Sequence, residues 1–190
     1  MKLDKTEIAR RQLGAALMLF LEDSDPVSVH TLACAGCEIA EYLTQKAGEK
    51  PFSTHALTTF PDLDICEIRQ LQNQYWNAFK HARTRGGIER KDSELLESFG
   101  DEVNDHTLFI GWYDYMLAVR ALPVENTNIS GMVFRAIPRE AKPRSQYNDT
   151  SAALSNGKSR ADQKGVLREV ISSYRENAEL MPPNPELPLH

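Results

Sequence analysis

Apolar residues recur every three to four positions through most of the first 122 residues, which is the spacing of amphipathic helices. The first of these segments, 4–22, opens with Asp4, which can cap a helix, and Glu7 is placed to complete a capping box. The second, 25–47, opens with Asp25 as its cap and carries Pro26 at the first helical position, where proline is favoured. The pattern therefore predicts two consecutive helices joined by a short turn.

Two further long helices are predicted before residue 123. The third extends from Pro61 to the glycine pair at 86–87, which we expect to end it. A short capped piece at 92–99 leads into the fourth, which extends from about 101 to 122. The segment 49–60 lacks a clear periodicity and is interpreted as a loop.

The character of the chain changes after residue 125. Residues 132–137 have the composition of a short strand or an extended segment, and 138–160 that of an exposed polar loop. A last amphipathic helix is predicted over about 161–180. The predicted fold is all-α, with a bundle of about four helices over 1–125, a basic polar linker over 126–160, and a terminal helix with a proline-rich tail over 161–190.

Composition favours a protein of the cytoplasm. The chain is 41% hydrophobic and 26% charged, which is typical of globular domains, and no apolar run approaches the ~20 residues of a membrane span. The first residues are charged where a secretion signal would be apolar, and three cysteines do not suggest a disulfide framework. We therefore expect no membrane partner.

Charge is distributed unevenly along the chain. Residues 1–125 carry 13 Lys and Arg against 20 Asp and Glu, whereas residues 126–190 carry 9 against 7. Such asymmetry indicates a tail that meets an anionic partner or folds back on the acidic body. We favour the second interpretation.

Four side chains that zinc accepts as ligands lie within an arc of roughly 60° on the second predicted helix: His30, Cys34, Cys37 and Glu41. Four ligands on successive turns of one helix cannot converge on one ion. A metal or redox site would therefore use His30 and Cys34 with a partner such as His55 or His106. We favour packing of the small residues in 33–37 against another helix, and assign no metal and no cofactor.

A polar stripe follows the third predicted helix at four-residue spacing: Arg69, Asn73, Asn77 and His81. Gln72 projects near the centre of the opposite apolar face, where its amide would need hydrogen-bond partners. Cations cluster just beyond: Lys80, Arg83, Arg85, Arg90 and Lys91. A histidine beside amides and cations could bind a phosphate and act in phosphodiester cleavage. The alternative is an ordinary solvated helix face, which we favour.

The sequence Asn73, Asn77 and Lys80-His81, on a late helix of a small bundle, resembles the HEPN group of helical proteins over about residues 5–122. Several HEPN proteins are ribonucleases or toxin–antitoxin components that act as dimers. The resemblance implies that His81 is a catalytic or RNA-contacting residue with Asn73 or Asn77 as its polar partner. Gln72 stands where the family has an arginine, and Arg69 is the nearest upstream cation.

The function that these observations favour is an interaction or binding module that acts as a homodimer. Self-association is inferred from the aromatic residues of the fourth helix, which cover more of its circumference than one core needs: Phe109, Trp112, Tyr113 and Tyr115. The alternatives are a HEPN-like RNA-binding protein or ribonuclease that uses His81, and a metal or redox site at His30 and Cys34.

Overall fold

The computed structural model describes residues 3–120 and 159–176. Within these ranges the chain forms seven helices and no strand: α1 Lys5–Leu21, α2 Pro26–Lys46, α3 Phe52–Thr59, α4 Ile65–Lys80, α5 Ser93–Glu97, α6 Glu102–Val119 and α7 Arg160–Glu176. The all-α prediction is confirmed. Among the helices described, none has the length and apolar character that crossing a bilayer demands. The predictions for 121–158 and for the tail after 176 lie outside the described residues.

Side-chain caps fix the beginnings of α1 and α2 as the sequence predicts. Asp4 Oδ1 accepts a hydrogen bond from the Glu7 backbone N–H at 2.8 Å, and Asp25 Oδ2 accepts one from Ser28 N–H at 2.8 Å. Each bond satisfies a backbone donor that has no partner inside the helix. The two helices thus form the predicted hairpin, with three residues between Leu21 and Asp25.

Helices α1, α2 and α6 enclose the main core, and α2 runs parallel to α6. Three hydrogen bonds establish this direction, in rising order along both helices: His30 to Asn104, Cys37 to Thr107, and Thr44 to Asp114. Helix α4 runs antiparallel to α2, since Arg69 near its start contacts Glu41 and Phe79 near its end contacts His30. The chain between α2 and α6 therefore runs back from the end of α2 to the end of the bundle where α2 and α6 begin.

The interpretation of 49–60 as a loop is wrong, because α3 occupies most of it. The Phe52 ring packs edge-on against Phe109 and Tyr113 of α6, at centroid distances of 5.7 and 5.8 Å. The Phe52 backbone N–H, one of the first donors of α3, donates to Asp114 Oδ1 at 2.7 Å. Contacts with α6 therefore stabilise a short helix that its own sequence pattern does not predict.

The third predicted helix ends earlier than expected. Helix α4 stops at Lys80, and His81 already has extended backbone angles. The chain then reverses in a tight turn, in which Thr84 N–H donates to Ile88 O at 2.8 Å and Gly87 has φ of 79°. The glycine pair forms this turn instead of ending the helix, since a positive φ suits glycine.

The aromatic residues of α6 are covered within the chain. Trp112 and Tyr115 are buried in the main core, while Phe109 and Tyr113 pack against Phe52 of α3. The surplus aromatic surface from which self-association was inferred thus has an internal partner. The homodimer stays a prediction.

Helix α7 packs on the bundle through buried cations. The Lys164 ammonium is 2.7 Å from both Asp23 Oδ1 and Asp101 Oδ2, and the Lys164 side chain is only 2% exposed. The Arg160 guanidinium is 2.6 Å from carboxylate oxygens of Asp101 and Asp105. The described part of the basic tail therefore folds back on the acidic body, as the charge distribution favoured.

Candidate functional site

A cleft of about 670 Å³ lies between one face each of α2, α4 and α6, a volume in the range of small-molecule sites. We call it the α2–α4–α6 cleft. Its polar and charged lining from α2 and α3 comprises Cys34, Cys37, Glu38, Glu41 and Ser53. Helix α4 and the following turn contribute Arg69, Gln72, Asn73, Asn77, Lys80 and Arg85. Helix α6 contributes His106, Thr107 and Asp114.

Carboxylates gather at the end of the cleft next to α3. Glu41 Oε1 accepts hydrogen bonds from Ser53 Oγ at 2.8 Å and from Arg69 Nη2 at 3.3 Å. Asp114 is 2% exposed, and burial raises its pKa to about 7, which the nearby Glu41 carboxylate favours and the Phe52 N–H opposes. At neutral pH, Asp114 is therefore divided between its protonated and ionised forms.

The opposite end of the cleft is cationic. Lys80, in the last turn of α4, places its ammonium 3.3 Å from the centroid of a Trp76 ring. Arg85 enters the cleft from the turn beyond the helix, and His106 enters from α6. Cations therefore predominate at this end of the cleft and carboxylates at the other, where Arg69 pairs with Glu41.

Cys34 and His30, one turn apart on α2, form a buried hydrogen-bonded chain with Asn104 of α6. His30 Nδ1 is 3.0 Å from Asn104 Oδ1, and Cys34 Sγ is 3.4 Å from His30 Nε2. The Asn104 Nδ2 group donates to Pro26 O at 3.1 Å, so its Oδ1 is the acceptor that faces the ring. Nδ1 of His30 then carries the hydrogen, and Nε2 accepts from the Cys34 thiol. We call this chain the Cys34–His30–Asn104 relay.

Burial keeps both titrating members of the relay neutral. It lowers the pKa of His30, against the opposing effect of the Asn104 hydrogen bond. It also raises the pKa of Cys34 to about 12, although the charge of Lys80 acts the other way. Cys34 itself is buried.

The metal or redox alternative at His30 and Cys34 gains no third ligand. Both His55 and His106, the partners considered, are exposed. In residues 3–120 and 159–176, no group of three or more His, Cys, Asp or Glu side chains is placed to hold a metal ion. The zinc interpretation thus has no ligand set in this part of the chain.

The structure brings three of the four stripe residues to the cleft and leaves the fourth outside its lining. Arg69, Asn73 and Asn77 line the cleft, whereas the exposed His81 caps the end of α4, where its N–H donates to Asn77 O at 3.1 Å. Gln72 also lines the cleft, so its amide does not lie within the apolar core. The stripe is part of a concave surface and not only a solvated helix face.

Two residues at this site were not recognised from the sequence. The sequence patterns assign neither Asn104 nor Asp114 to a site. Their partners lie 74 and 62 residues away along the chain. The sequence does contain a signal for both residues: an amide and a carboxyl lie within a mostly apolar helix, where a buried polar side chain needs a polar partner.

Comparisons of the chain with family models, curated proteins and solved structures find no match. The HEPN resemblance therefore stays a prediction, and the chemistry of the cleft is the basis for a function.

Proposed function

We propose that the protein is a binding module whose ligand is a short zwitterionic peptide held in the α2–α4–α6 cleft. The observation that carries the proposal is the opposite charge at the two ends of one cavity. The ligand's ammonium group lies near Glu41 and Asp114, and its carboxylate lies near Lys80 and Arg85. Complementary charges of this kind specify the orientation of a ligand more than its affinity.

The dimensions of the cleft suit such a ligand. Seven residues of α2 separate Cys34 at the cationic end from Glu41 at the acidic end, or about 10 Å of helix. Three residues of extended peptide span about the same length. The amides of Asn73 and Asn77 can bond to the peptide backbone, and the Trp76 ring and Ile110 can pack against its central side chain.

The acidic end can accept an ammonium group without leaving a buried charge unpaired. Arg69 lies 3.3 Å from Glu41, but its side chain is 51% exposed and can move into solvent. Exposed ion pairs of this kind are weak, typically about 0–1 kcal/mol. The incoming ammonium group then replaces the guanidinium beside Glu41, and Ser53 continues to orient that carboxylate.

RNA is the second candidate, and the basic turn after α4 favours it. Arg83 and Arg85 follow Trp76, and cations beside an aromatic ring suit a single-stranded nucleic acid. Against it, Glu38, Glu41 and Asp114 would repel a phosphate backbone along the cleft. His81, the residue that the HEPN resemblance implies, is not among the cleft residues.

Isothermal titration with three tripeptides, Ala-Phe-Ala, Ala-Leu-Ala and Ala-Ser-Ala, tests the peptide proposal. We expect at least one to bind with free termini, and its N-acetylated, C-amidated form to bind at least about tenfold more weakly, a loss of about 1.4 kcal/mol. Glu41→Gln and Lys80→Met should each weaken the free peptide similarly. Lys46→Met, an exposed cation on α2 outside the cleft, is the control and should bind as the wild type does.

The proposal is wrong if none of the three free peptides binds, or if blocked and free forms bind equally. A labelled single-stranded RNA distinguishes the second candidate. The ribonuclease alternative would replace the peptide proposal under three conditions. Lys80→Met must weaken binding of that RNA, Glu41→Gln must leave the binding unchanged, and His81→Ala must abolish cleavage of the RNA.

A further inference from the structure

We propose that Cys34 is a nucleophile that attacks an acyl carbon held in the α2–α4–α6 cleft, with His30 as its general base and Asn104 as the positioning residue. The inference depends on the proposed function only in placing the acyl substrate in the cleft. The substrate class is an ester, thioester or amide of a short, amphoteric acyl compound. It follows from the Cys34–His30–Asn104 relay and from the place of Cys34 on the cleft wall.

The relay has the three parts that an activated thiol requires. The Cys34 thiol donates to His30 Nε2 at 3.4 Å, and the ring donates from Nδ1 to Asn104 Oδ1 at 3.0 Å. Asn104 is itself held by its bond to Pro26 O at 3.1 Å, so the acceptor cannot turn away. A nucleophile, a base and a group that orients the base are the parts by which such sites are recognised.

The surroundings of His30 hold the ring in one orientation. Three aromatic rings pack edge-on around it, those of Tyr75, Phe79 and Phe99, with centroids 5.4–6.0 Å away. His30 is fully buried behind Cys34, whereas Cys34 is 4% exposed and lines the cleft. Cys34 therefore lies at the wall of the cleft, and bulk water does not reach the imidazole.

The cleft that Cys34 lines also contains donor side chains. Asn77 and Lys80 line the cleft on the α4 side, and the Lys80 ammonium acts electrostatically on Cys34. An amide and an ammonium group beside a reacting carbonyl stabilise the oxygen anion that forms during attack. In this mechanism Asn77 and Lys80 are the groups that stabilise the anion.

The reaction balances as a transfer of the acyl group to water. As the Cys34 sulfur bonds to the acyl carbon, the thiol proton passes to His30 Nε2 and the carbonyl electron pair moves to oxygen. The carbonyl re-forms, the bond to the leaving group breaks, and Nε2 gives the proton to that group. Water then attacks the thioester and gives its proton to Nε2. The carbon–sulfur bond then breaks, the free acid departs, and Nε2 returns the proton to the Cys34 thiolate, with no oxidant or reductant consumed.

A neutral thiol and a neutral imidazole suit this mechanism when the proton moves during attack, as it does for serine with histidine. Three other titratable side chains line the cleft around Cys34: Lys80 from α4, His106 from α6 and Cys37 on its own helix. Burial raises the pKa of the Cys37 thiol well above that of an ordinary thiol, and the group hydrogen-bonded to Cys34 Sγ is His30 Nε2. His30 remains as the base.

The test is acetylation of the wild-type protein by p-nitrophenyl acetate, followed by peptide mapping at several pH values. In samples quenched with acid before water removes the acyl group, we expect one acetyl group on Cys34, at a rate that is nearly constant from pH 7 to pH 9, because neutral His30 removes the proton throughout. Cys66 is exposed and supplies an internal reference. Its rate should rise steeply with pH, because a thiol without a neighbouring base reacts as its thiolate.

Variants complete the test. Cys34→Ala should lose the pH-independent acetylation, His30→Gln should reduce it by about a hundredfold or more, and Cys66→Ala should retain it. Acetylation confined to Cys66, or a Cys34 rate that rises with pH in parallel with that of Cys66, overturns the inference without relying on any variant. Tripeptide binding separates the two proposals. A bound tripeptide with an unreactive Cys34 refutes the relay alone, and a reactive Cys34 without tripeptide binding refutes the ligand class alone.

Discussion

The environment of Asp114 in the folded protein differs strongly from that in the unfolded chain. Its carboxyl is buried between α3 and α6, and its pKa of about 7 lies well above the unfolded value of about 3.9. Between these two values the folded protein binds more protons than the unfolded one. The free energy of unfolding therefore decreases as the pH rises from about 4 to 7, and the decrease is complete above pH 7.

The substitution Asp114→Asn tests this linkage. An amide oxygen can still accept from the Phe52 N–H, but the side chain no longer ionises. We expect the variant to be more stable than the wild type at pH 8 by roughly 1–3 kcal/mol, with a smaller difference at pH 5. Urea unfolding at both pH values measures this, with the exposed Glu49→Gln as control. If Asp114→Asn and the wild type differ in stability by the same amount at both pH values, the raised pKa of Asp114 is contradicted.

At the level of single residues, the sequence predicted those whose role depends on local spacing. Arg69, Asn73 and Asn77 were grouped because they are four residues apart, and they line one cleft. His81 was grouped for the same reason, but α4 ends one residue before it. Asn104 and Asp114 could not be assigned in this way, because their partners come from distant helices that only tertiary packing brings near.

Helices α1, α2 and α6 pack closely where Leu13 meets two glycines. A Cβ atom added at Gly36 would lie 2.6 Å from Leu13 Cγ. One added at Gly111 would lie 2.5 Å from Leu13 Cδ2 and 2.8 Å from Cys37 Sγ. Both glycines therefore allow the α2 and α6 backbones to approach the same leucine.

Gly111→Ala and Gly14→Ala should change stability in opposite directions. In Gly111→Ala the methyl group overlaps Leu13 in a filled core, which we expect to cost about 1–3 kcal/mol. In Gly14→Ala the methyl group meets no atom within 4 Å, and alanine favours the helix by about 0.5–1 kcal/mol. Chemical denaturation of both variants measures the changes. If Gly111→Ala leaves the free energy of unfolding unchanged, α2 and α6 can move apart at little cost.

At the level of elements, sequence reasoning succeeded where a helix carries its own signals. Caps at Asp4 and Asp25 predicted the beginnings of α1 and α2. Helix α3 has no side-chain cap bond and depends on Phe52 meeting α6, so local sequence could not reveal it. The glycine pair after α4 was misread because glycine serves a turn as readily as a helix end.

For the whole molecule, buried charge connects the terminal helix to the bundle. Asp101 contacts both Lys164 and Arg160, and it precedes α6, so one carboxylate joins α7 to the central core. Lys164 and Arg160 also lie over the Phe20 ring, with distances to the centroid of 4.4 and 5.5 Å. Removing one member of a buried ion pair generally costs about 3–5 kcal/mol, because the other charge loses its partner.

Two substitutions distinguish the members of this ion-pair network. Asp101→Leu leaves Lys164 with only the half-exposed Asp23, so we expect a loss of a few kcal/mol. Lys164→Met removes the buried charge and leaves Asp101 with Arg160, so its cost should be below about 1.5 kcal/mol. Denaturation together with hydrogen exchange of the α7 amides measures both effects. Equal losses, or unchanged exchange in α7 for Asp101→Leu, would contradict this account.

Because α2 and α6 run parallel, the ligand specificity of the cleft can change during evolution without a change in the helices of the core. Two neighbouring parallel helices require a long crossover, and here residues 47–101 supply it, with α3, α4 and α5 laid along the outside. One wall of the cleft thus belongs to the crossover, whereas the Leu13 contact with Gly36 and Gly111 belongs to the scaffold. Substitution within the crossover can alter what the cleft accepts while the scaffold keeps its geometry, so new specificity can evolve in this segment at little risk to folding.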